Sequence, residues 1–399
     1  MRIAQAVFGV FHHFDLAREL DRRGHLQRIY STWPWRRLQR EGLAHDKVAT
    51  YPYFHTLQFA LGRVPGLSPY LDDWFQPIVA PTFDRWQIRQ FERQLRRGEP
   101  LPEALISIAG ASHYAGLWLQ QHGGKFICDR GSSHHRFQME LVSDEFRRWG
   151  APQEPVDIRN VVREEEIYAV ADAISVPSSF AAQTYVDMGI PPEKLYCIPY
   201  GVNLERFKPA TAPPSQEFNI LYAGSLGIRK GIPYLLQAFQ KLPYPHKKLR
   251  LAGSVSEEMK AILPTLPTDG VEFLGPLPQG ELISWMQRSH LLVLPSIEDG
   301  FGMVLAQALA CGCPILCSQN TGGPDLVQDG REGFIVPIRD VNSLVDRMDR
   351  LAQDRILWSE MREAGLRRVA TLGGWKDYGD KWVEVLQNLI DTDNTQSNR

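Results

Sequence analysis

The feature that most constrains this chain is a repeated alternation. Short, near-continuous apolar runs are each followed by an amphipathic helical stretch. In the first half the runs are RIAQAVFG, QRIYST, ALISIAG, KFICD, AISVPS and LYCIPYG. In the second half they are FNILYAG, KLRLAG, VEFLG, LLVLPS, PILCS and GFIVP. A strand apolar at nearly every position must be covered on both faces, which predicts parallel sheets with helices on each side. About six such runs per half are enough for one doubly wound domain each. The length of 399 residues also exceeds what one ordinary core holds. A polar stretch, NLERFKPATAPPSQE (203–217), carries Pro209, Pro213 and Pro214 and reads as the linker. The expected domains are therefore 1–202 and 203–374, with a polar, disordered tail over 392–399.

Several classes of function are excluded early. The formal net charge of -2 gives no overall field for nucleic acid. No apolar run approaches the ~18 residues of a membrane span. The start, MRIAQAVFGVFHHF, does not read as a signal peptide, because histidines interrupt its apolar run. Five cysteines, an odd number, predict reduced thiols and a cytoplasmic setting. Cys311, Cys313 and Cys317 read as small core residues, since no CxxC pair or Cys/His set completes a metal site. One stretch is unusually basic: seven arginines between Arg18 and Arg40 exceed the acids there by five charges. Residues 51–75 follow it, aromatic and punctuated by proline and glycine. Together they read as a solvated helix face and an irregular insertion, or as a surface for a membrane or an anionic, lipid-linked acceptor.

The chemistry concentrates in SIEDGFGMVLAQALACGCP, residues 296–314. Strand LLVLPS precedes it, and GMVLAQALACG has helix-forming composition with a Gly-Cys-Pro stop. The loop from Glu298 through Asp299, Gly300 and Phe301 to Gly302 thus leaves the C-terminal end of a parallel strand and opens into a helix. Ligands bind at such places. Glycines admit close approach, and first-turn N–H groups attract anions. Two acids beside an anion site suit a sugar, whose hydroxyls donate to carboxylates and whose anomeric carbon develops positive charge. Phosphate plus sugar means a nucleotide-sugar. The same acids could instead serve only the helix dipole. Met303 and Gln307 lie four apart on the face of that helix turned towards the loop. A second loop, YAGSLGIRKG, sets Arg229 and Lys230 among glycines ahead of a helix, which suits a diphosphate. Neither half has a P-loop or a GxGxxG turn. In the first half, GASHYAG and DRGSSHHRFQ follow strands and offer His113, Asp129, Arg130, Ser132, Ser133 and His134 as the facing wall. Gly9, after the first strand, reads as room for phosphate or acceptor.

The motifs IPYGVNLERFKP, YAGSLGIRKGIPYLLQAF, VEFLGPLPQGELISWMQRSHLLVLPSIEDGFGMVLAQALACGCPI and TGGPDLVQDGREGFIVPIRD resemble glycosyltransferase family 4 over most of residues 195–340. The resemblance implies a GT-B fold, two Rossmann-like domains across a cleft, and retaining hexosyl transfer. In the family's acid-x7-glutamate motif the first position, on the donor sugar, falls on Asp299, and the second, on the ribose, on Gln307. Glu298 is then the candidate to supply the missing acid. Ser225 stands where the family often has an arginine, leaving Arg229 and Lys230 for the diphosphate. Asp129 or His134 would face the donor sugar. The resemblance also implies that residues 375–391 form a closing helix that crosses back to the first domain. It further implies that the donor's own phosphate oxygen takes the acceptor's proton. No metal or other cofactor is expected. The partners would be a nucleotide-sugar and a glycan, lipid-linked or small-molecule acceptor, with peripheral membrane contact through 18–40. Two alternatives are a non-catalytic sugar-nucleotide-binding protein and a GT-B sugar-nucleotide epimerase.

Overall fold

The computed structural model describes residues 1–61, 68–152, 158–203, 205–210, 213 and 217–396. The described strands form two sheets. The first contains β1 (Ile3–Val7), β2 (Leu26–Ser31), β3 (Val48–Thr50), β4 (Ala104–Ile108), β5 (Lys125–Asp129), β6 (Ala173–Val176) and β7 (Leu195–Cys197). The second contains β8 (Phe218–Ala223), β9 (Lys247–Ala252), β10 (Val271–Gly275), β11 (Leu291–Leu294), β12 (Ile315–Ser318) and β13 (Gly333–Val336). Their orders are β3-β2-β1-β4-β5-β6-β7 and β10-β9-β8-β11-β12-β13, with all pairings parallel. This is the α/β doubly wound plan, drawn twice. In each sheet the order reverses between two central strands, β1/β4 and β8/β11, and the loops that leave them part there and open a crevice.

The strands are buried as their sequences require: β1, β8, β11 and β12 are buried at every position. β3 was missed in the sequence. It is only three residues long, and one of them, Val48, is buried, so it carries too little pattern to be read. Residues 51–75 are also not an irregular insertion. Helices Tyr53–Leu61 and Ser68–Arg96 occupy the described part, while 62–67 lie outside the described residues.

The last helix, Trp375–Gln396, returns to the first half. Its Trp382 and Leu386 are fully buried in the cluster around Phe14, Leu20 and Ile3. Asp380 accepts from Arg23 Nη2 at 2.6 Å. Truncating a buried tryptophan costs about 3–5 kcal/mol, so this is a strong tie. The helix runs further than expected, to Gln396, with 397–399 outside the described residues. No glycine or proline interrupts 380–396, and Gln387 bonds Asp391 one turn on.

The basic stretch does not form one charged face. Arg18 pairs with Asp15, Arg22 with Glu19, Arg23 with Glu19 and Asp380, and Arg40 with Glu41. Arg37 stacks 3.6 Å over the ring of Trp33. Among the described residues no helix is long and apolar enough to cross a membrane.

Candidate active site

The loops that leave β8 and β11 meet beside the second sheet's switch point. The backbone N–H of Ile297 donates to Arg229 O at 2.9 Å, which zips the two loops together. Two acid–base pairs then stand side by side. Arg229 Nη1 lies 2.9 Å from Glu298 Oε2, and Lys230 Nζ lies 2.6 Å from Asp299 Oδ2.

Glu298 faces the first half. Its side chain is fully buried, and Oε1 accepts from Ser132 Oγ at 2.7 Å, Ser133 Oγ at 2.8 Å and Ser133 N at 3.3 Å. Oε2 accepts from Gln138 Nε2 at 2.7 Å. Burial alone would raise this carboxyl's pKa, but the Arg229 charge and these bonds hold it down at about 2. Gln138 is in turn held by Arg130, which pairs with Glu164 at 3.0 Å. Glu298 is therefore a joint between the halves, with its oxygens already occupied. The expectation that it meets the donor sugar is corrected on that ground. Gly300 completes the joint: a Cβ there would lie 2.2 Å from Gly131 O, so only glycine fits against the opposite backbone. Ser178 Oγ donates to Gly300 O at 2.6 Å.

Asp299 stays on the open side. Its Oδ1 accepts from Gly302 N at 3.1 Å, ahead of helix Met303–Ala310. Together with Lys230, Gly224, Tyr222, Leu294, Phe301, Gly302, Met303 and Val304 it lines a cavity of about 230 Å³. Gly131 and Tyr200 close that cavity from the first half. The first N–H groups of a helix have no intrahelical partner, and Met303 and Val304, the first two residues of this helix, line the cavity. A cation, a carboxylate and a helix N-terminus thus converge on one space. Ser225 and Gln307 are not among the lining residues. Ser225 is exposed, and Gln307 is half-buried in the second turn of its helix.

In the first half, Asp129 ends β5 and is 3% exposed. It accepts from Ser175 Oγ and meets His12 Nε2, both at 2.7 Å. Burial would raise its carboxyl pKa, but the His12 charge and hydrogen bond, with His13 beside them, leave it lowered. His12, His13 and Asp129 offer ligand atoms within 4.8 Å of one another.

Three expected residues are placed elsewhere. His134 N-caps helix His135–Trp149: its Nδ1 accepts from Arg136 N, and its ring packs on Tyr168 and Tyr185. Burial lowers its pKa to about 4. His113 opens helix His113–Gln121 with Nδ1 3.5 Å from Glu166, outside the cavity wall, and its pKa is also lowered by burial. Gly9 makes no room for a ligand. At φ +77° a Cβ there would lie 2.3 Å from Trp33 Nε1, so the tryptophan fills that space. The residues that sequence reasoning missed are His12, Gln138 and Tyr200. Only the paired histidines of FGVFHHF, just after the first strand, signalled one of them.

Two Rossmann-like parallel sheets joined through such a cleft define the GT-B fold. The description "Glycosyltransferase Family 4" matches residues 10–206, and "Glycosyl transferases group 1" matches residues 204–368. The chain belongs to glycosyltransferase family 4. A D-inositol 3-phosphate glycosyltransferase of Streptomyces bingchenggensis is 28% identical over 291 residues, covering 66% of this chain and 63% of its own length. One from Nocardioides sp. is 26% identical over 331 residues, covering 75% and 71%. Among solved structures, sucrose-phosphate synthase from Thermosynechococcus elongatus superposes with a TM-score of 0.72 at 19% identity, over 98% of this chain and 100% of that one. Anabaena HepE in complex with UDP gives 0.67 at 14% identity, over 97% and 100%.

Proposed function

We propose that this chain moves a hexosyl group from a nucleoside-diphosphate sugar to an acceptor hydroxyl, with retention at the anomeric carbon. The observation that carries the reading is the cavity at the β8/β11 switch point, where Lys230, Asp299 and the N-terminus of helix Met303–Ala310 converge. Lysine and N–H groups suit the leaving diphosphate, and Asp299 suits a sugar hydroxyl. Arg229 joins them only when its pair with Glu298 opens. Because these groups can neutralise the leaving charge, the transfer in this reading needs no metal. The names of the relatives and the UDP bound to HepE make UDP-hexoses the first donors to try and cyclitol phosphates the first acceptors. Glycans and lipid-linked sugars form the next acceptor set. The local pairing of Arg18, Arg22, Arg23 and Arg40 argues for an acceptor held at the cavity's first-half wall rather than on that basic stretch. Five free cysteines agree with a cytoplasmic enzyme.

A thermal-shift screen of UDP-, GDP- and ADP-sugars tests the donor. One nucleotide is expected to raise Tm by several degrees at saturation, and no shift with any of them would overturn the reading. Gln307, a neutral amide at the motif's second position, favours one competing reading, donor binding without transfer. That reading requires binding with neither transfer nor donor hydrolysis. Interconversion of donors without acceptor would point to an epimerase.

A further inference from the structure

Helix His13–Arg22 opens on a side chain whose polar atoms find no use in the fold alone. His13 is fully buried, and among the described residues neither its Nδ1 nor its Nε2 makes a hydrogen bond. Leaving a buried imidazole in that state is costly. Its Nε2 nonetheless lies 3.3 Å from Asp129 Oδ2. His12 Nε2 reaches the same oxygen at 2.7 Å. Two imidazole nitrogens from adjacent residues thus converge on one carboxylate oxygen, and the three atoms lie within 4.8 Å of one another.

The pieces come from separate strands. The histidines follow β1, Asp129 ends β5, and β4 runs between those strands. Ser175 Oγ donates to the other carboxylate oxygen at 2.7 Å, which is the outer support that a metal-ligating carboxylate needs. Ligands on a four-coordinate zinc ion, at its usual bond lengths, stand about 3.4 Å apart. An ion would therefore need only a small rearrangement of these three atoms. Two nitrogens and one oxygen suit zinc or a neighbouring transition metal, whereas magnesium and calcium take oxygen ligands.

We propose that His12, His13 and Asp129 form a binding site for a divalent transition metal that ties the loop after β1 to the end of β5. The ion stands behind the donor cavity, outside its wall. His12 packs on Tyr200 with ring centroids 4.4 Å apart, and Tyr200 lines the cavity. The metal thus stiffens the first-half wall and takes no part in the transfer of sugar. The inference is independent of the sugar-transfer reading, and its failure would leave that reading untouched.

The test uses the untagged full chain, stripped with EDTA and then dialysed free of it. Zinc chloride is titrated calorimetrically, and thermal unfolding is followed in parallel. One equivalent is expected to bind, with Tm rising by several degrees once zinc is well above its Kd. Magnesium or calcium should do neither. His13→Phe keeps a buried ring and removes both nitrogens. Asp129→Asn keeps the bond from Ser175 and removes the charge. Each is expected to lose about 100-fold in zinc affinity, the upper end of what even an outer-shell change costs. Cobalt(II) in place of zinc should give visible bands without thiolate charge transfer. A wild type that takes up no zinc, or unchanged affinity in His13→Phe or Asp129→Asn, would overturn the proposal. A thiolate band would assign the ion to cysteines and overturn it too. Should either variant fail to fold, Ser175→Ala, expected to lose about tenfold, decides together with the cobalt spectrum.

Discussion

The two acid–base pairs at the mouth of the cleft come from the same two loops and differ by one residue in each, yet they live in opposite surroundings. Glu298 is sealed in the seam, where Ser132, Ser133 and Gln138 from the other half occupy its oxygens. Asp299, 19% exposed, stands on the cavity with Lys230. The backbone explains the split. Ile297 N and Glu298 N both point at Arg229 O, while Asp299 N turns to Asn320 O. Consecutive side chains are thereby sent to different sides of the loop. One acid fixes how the halves meet, and its neighbour is left for the ligand.

The largest effect is expected from breaking the sealed pair. Glu298→Gln removes the charge that Arg229 and both serine hydroxyls meet. Breaking a buried pair costs about 3–5 kcal/mol. Arg229 is 38% exposed and water can take over part of its charge, so a loss of about 3 kcal/mol is expected. Thermal unfolding should show it, and small-angle scattering should show the halves moving apart. An unchanged Tm with unchanged scattering would mean that the seam holds without this carboxylate.

Acid sharpens the same contrast. Burial lowers His13 to about 3 and His134 to about 4, both well below their unfolded value of 6.5. The unfolded chain therefore takes up these protons first. The stability they carry is complete above pH 6.5 and is lost as pH falls towards 4 and 3, by about 1.4 kcal/mol per unit for each histidine. Glu298, lowered from 4.5 to about 2, keeps its contribution down to about pH 4.5 and loses it only below that. Wild-type Tm should thus fall between pH 6.5 and 4.5, and Glu298→Gln should leave that limb unchanged. A flat Tm across it would contradict the burial of the two histidines as neutral rings.

Opening the cavity-side pair has a smaller, ligand-specific effect. Lys230→Ala is expected to weaken nucleoside diphosphate binding by about 1.5–3 kcal/mol, the range for charge-assisted bonds. Isothermal titration would detect it. Equal affinity would show that Lys230 serves only Asp299.

The second sheet was legible because its signals are local. Six apolar runs became β8 to β13, and each site loop is contiguous with the strand that aims it. In the first half six runs likewise became β1, β2 and β4 to β7, with only the short β3 missed, but the seam and the first-half wall of the site were not legible, because their logic is tertiary. Whether Glu298 or Asp299 meets the ligand depends on Ser132, Ser133 and Gln138, about 160 residues earlier. His134 sits in the polar cluster that attracted attention, yet a cap and two tyrosines absorb it. His12 lay outside that cluster, and only the distance between β1 and β5 in the folded sheet brings it to Asp129. Gly9 was read as space, but its space belongs to Trp33.

The smallest effect concerns Gln307. Helix Met303–Ala310 puts it four residues after Met303, on one face and just over one turn in. Met303 lines the cavity and Gln307, one turn further along the helix, does not. A contact with the donor there would be with the ribose, beyond the diphosphate. A glutamate there would accept from both ribose hydroxyls, whereas the amide accepts from one and donates to the other. The helix N-terminal field tolerates either side chain. Gln307→Glu is therefore expected to leave diphosphate affinity within about tenfold, or ~1.4 kcal/mol. Gln307→Leu should lose more, because it sets an apolar wall against a hydroxyl. If the leucine variant titrates like wild type, the amide only packs. The donor is then held by the cavity-side pair and the helix N-terminus alone, and the reading of donor binding without transfer gains ground.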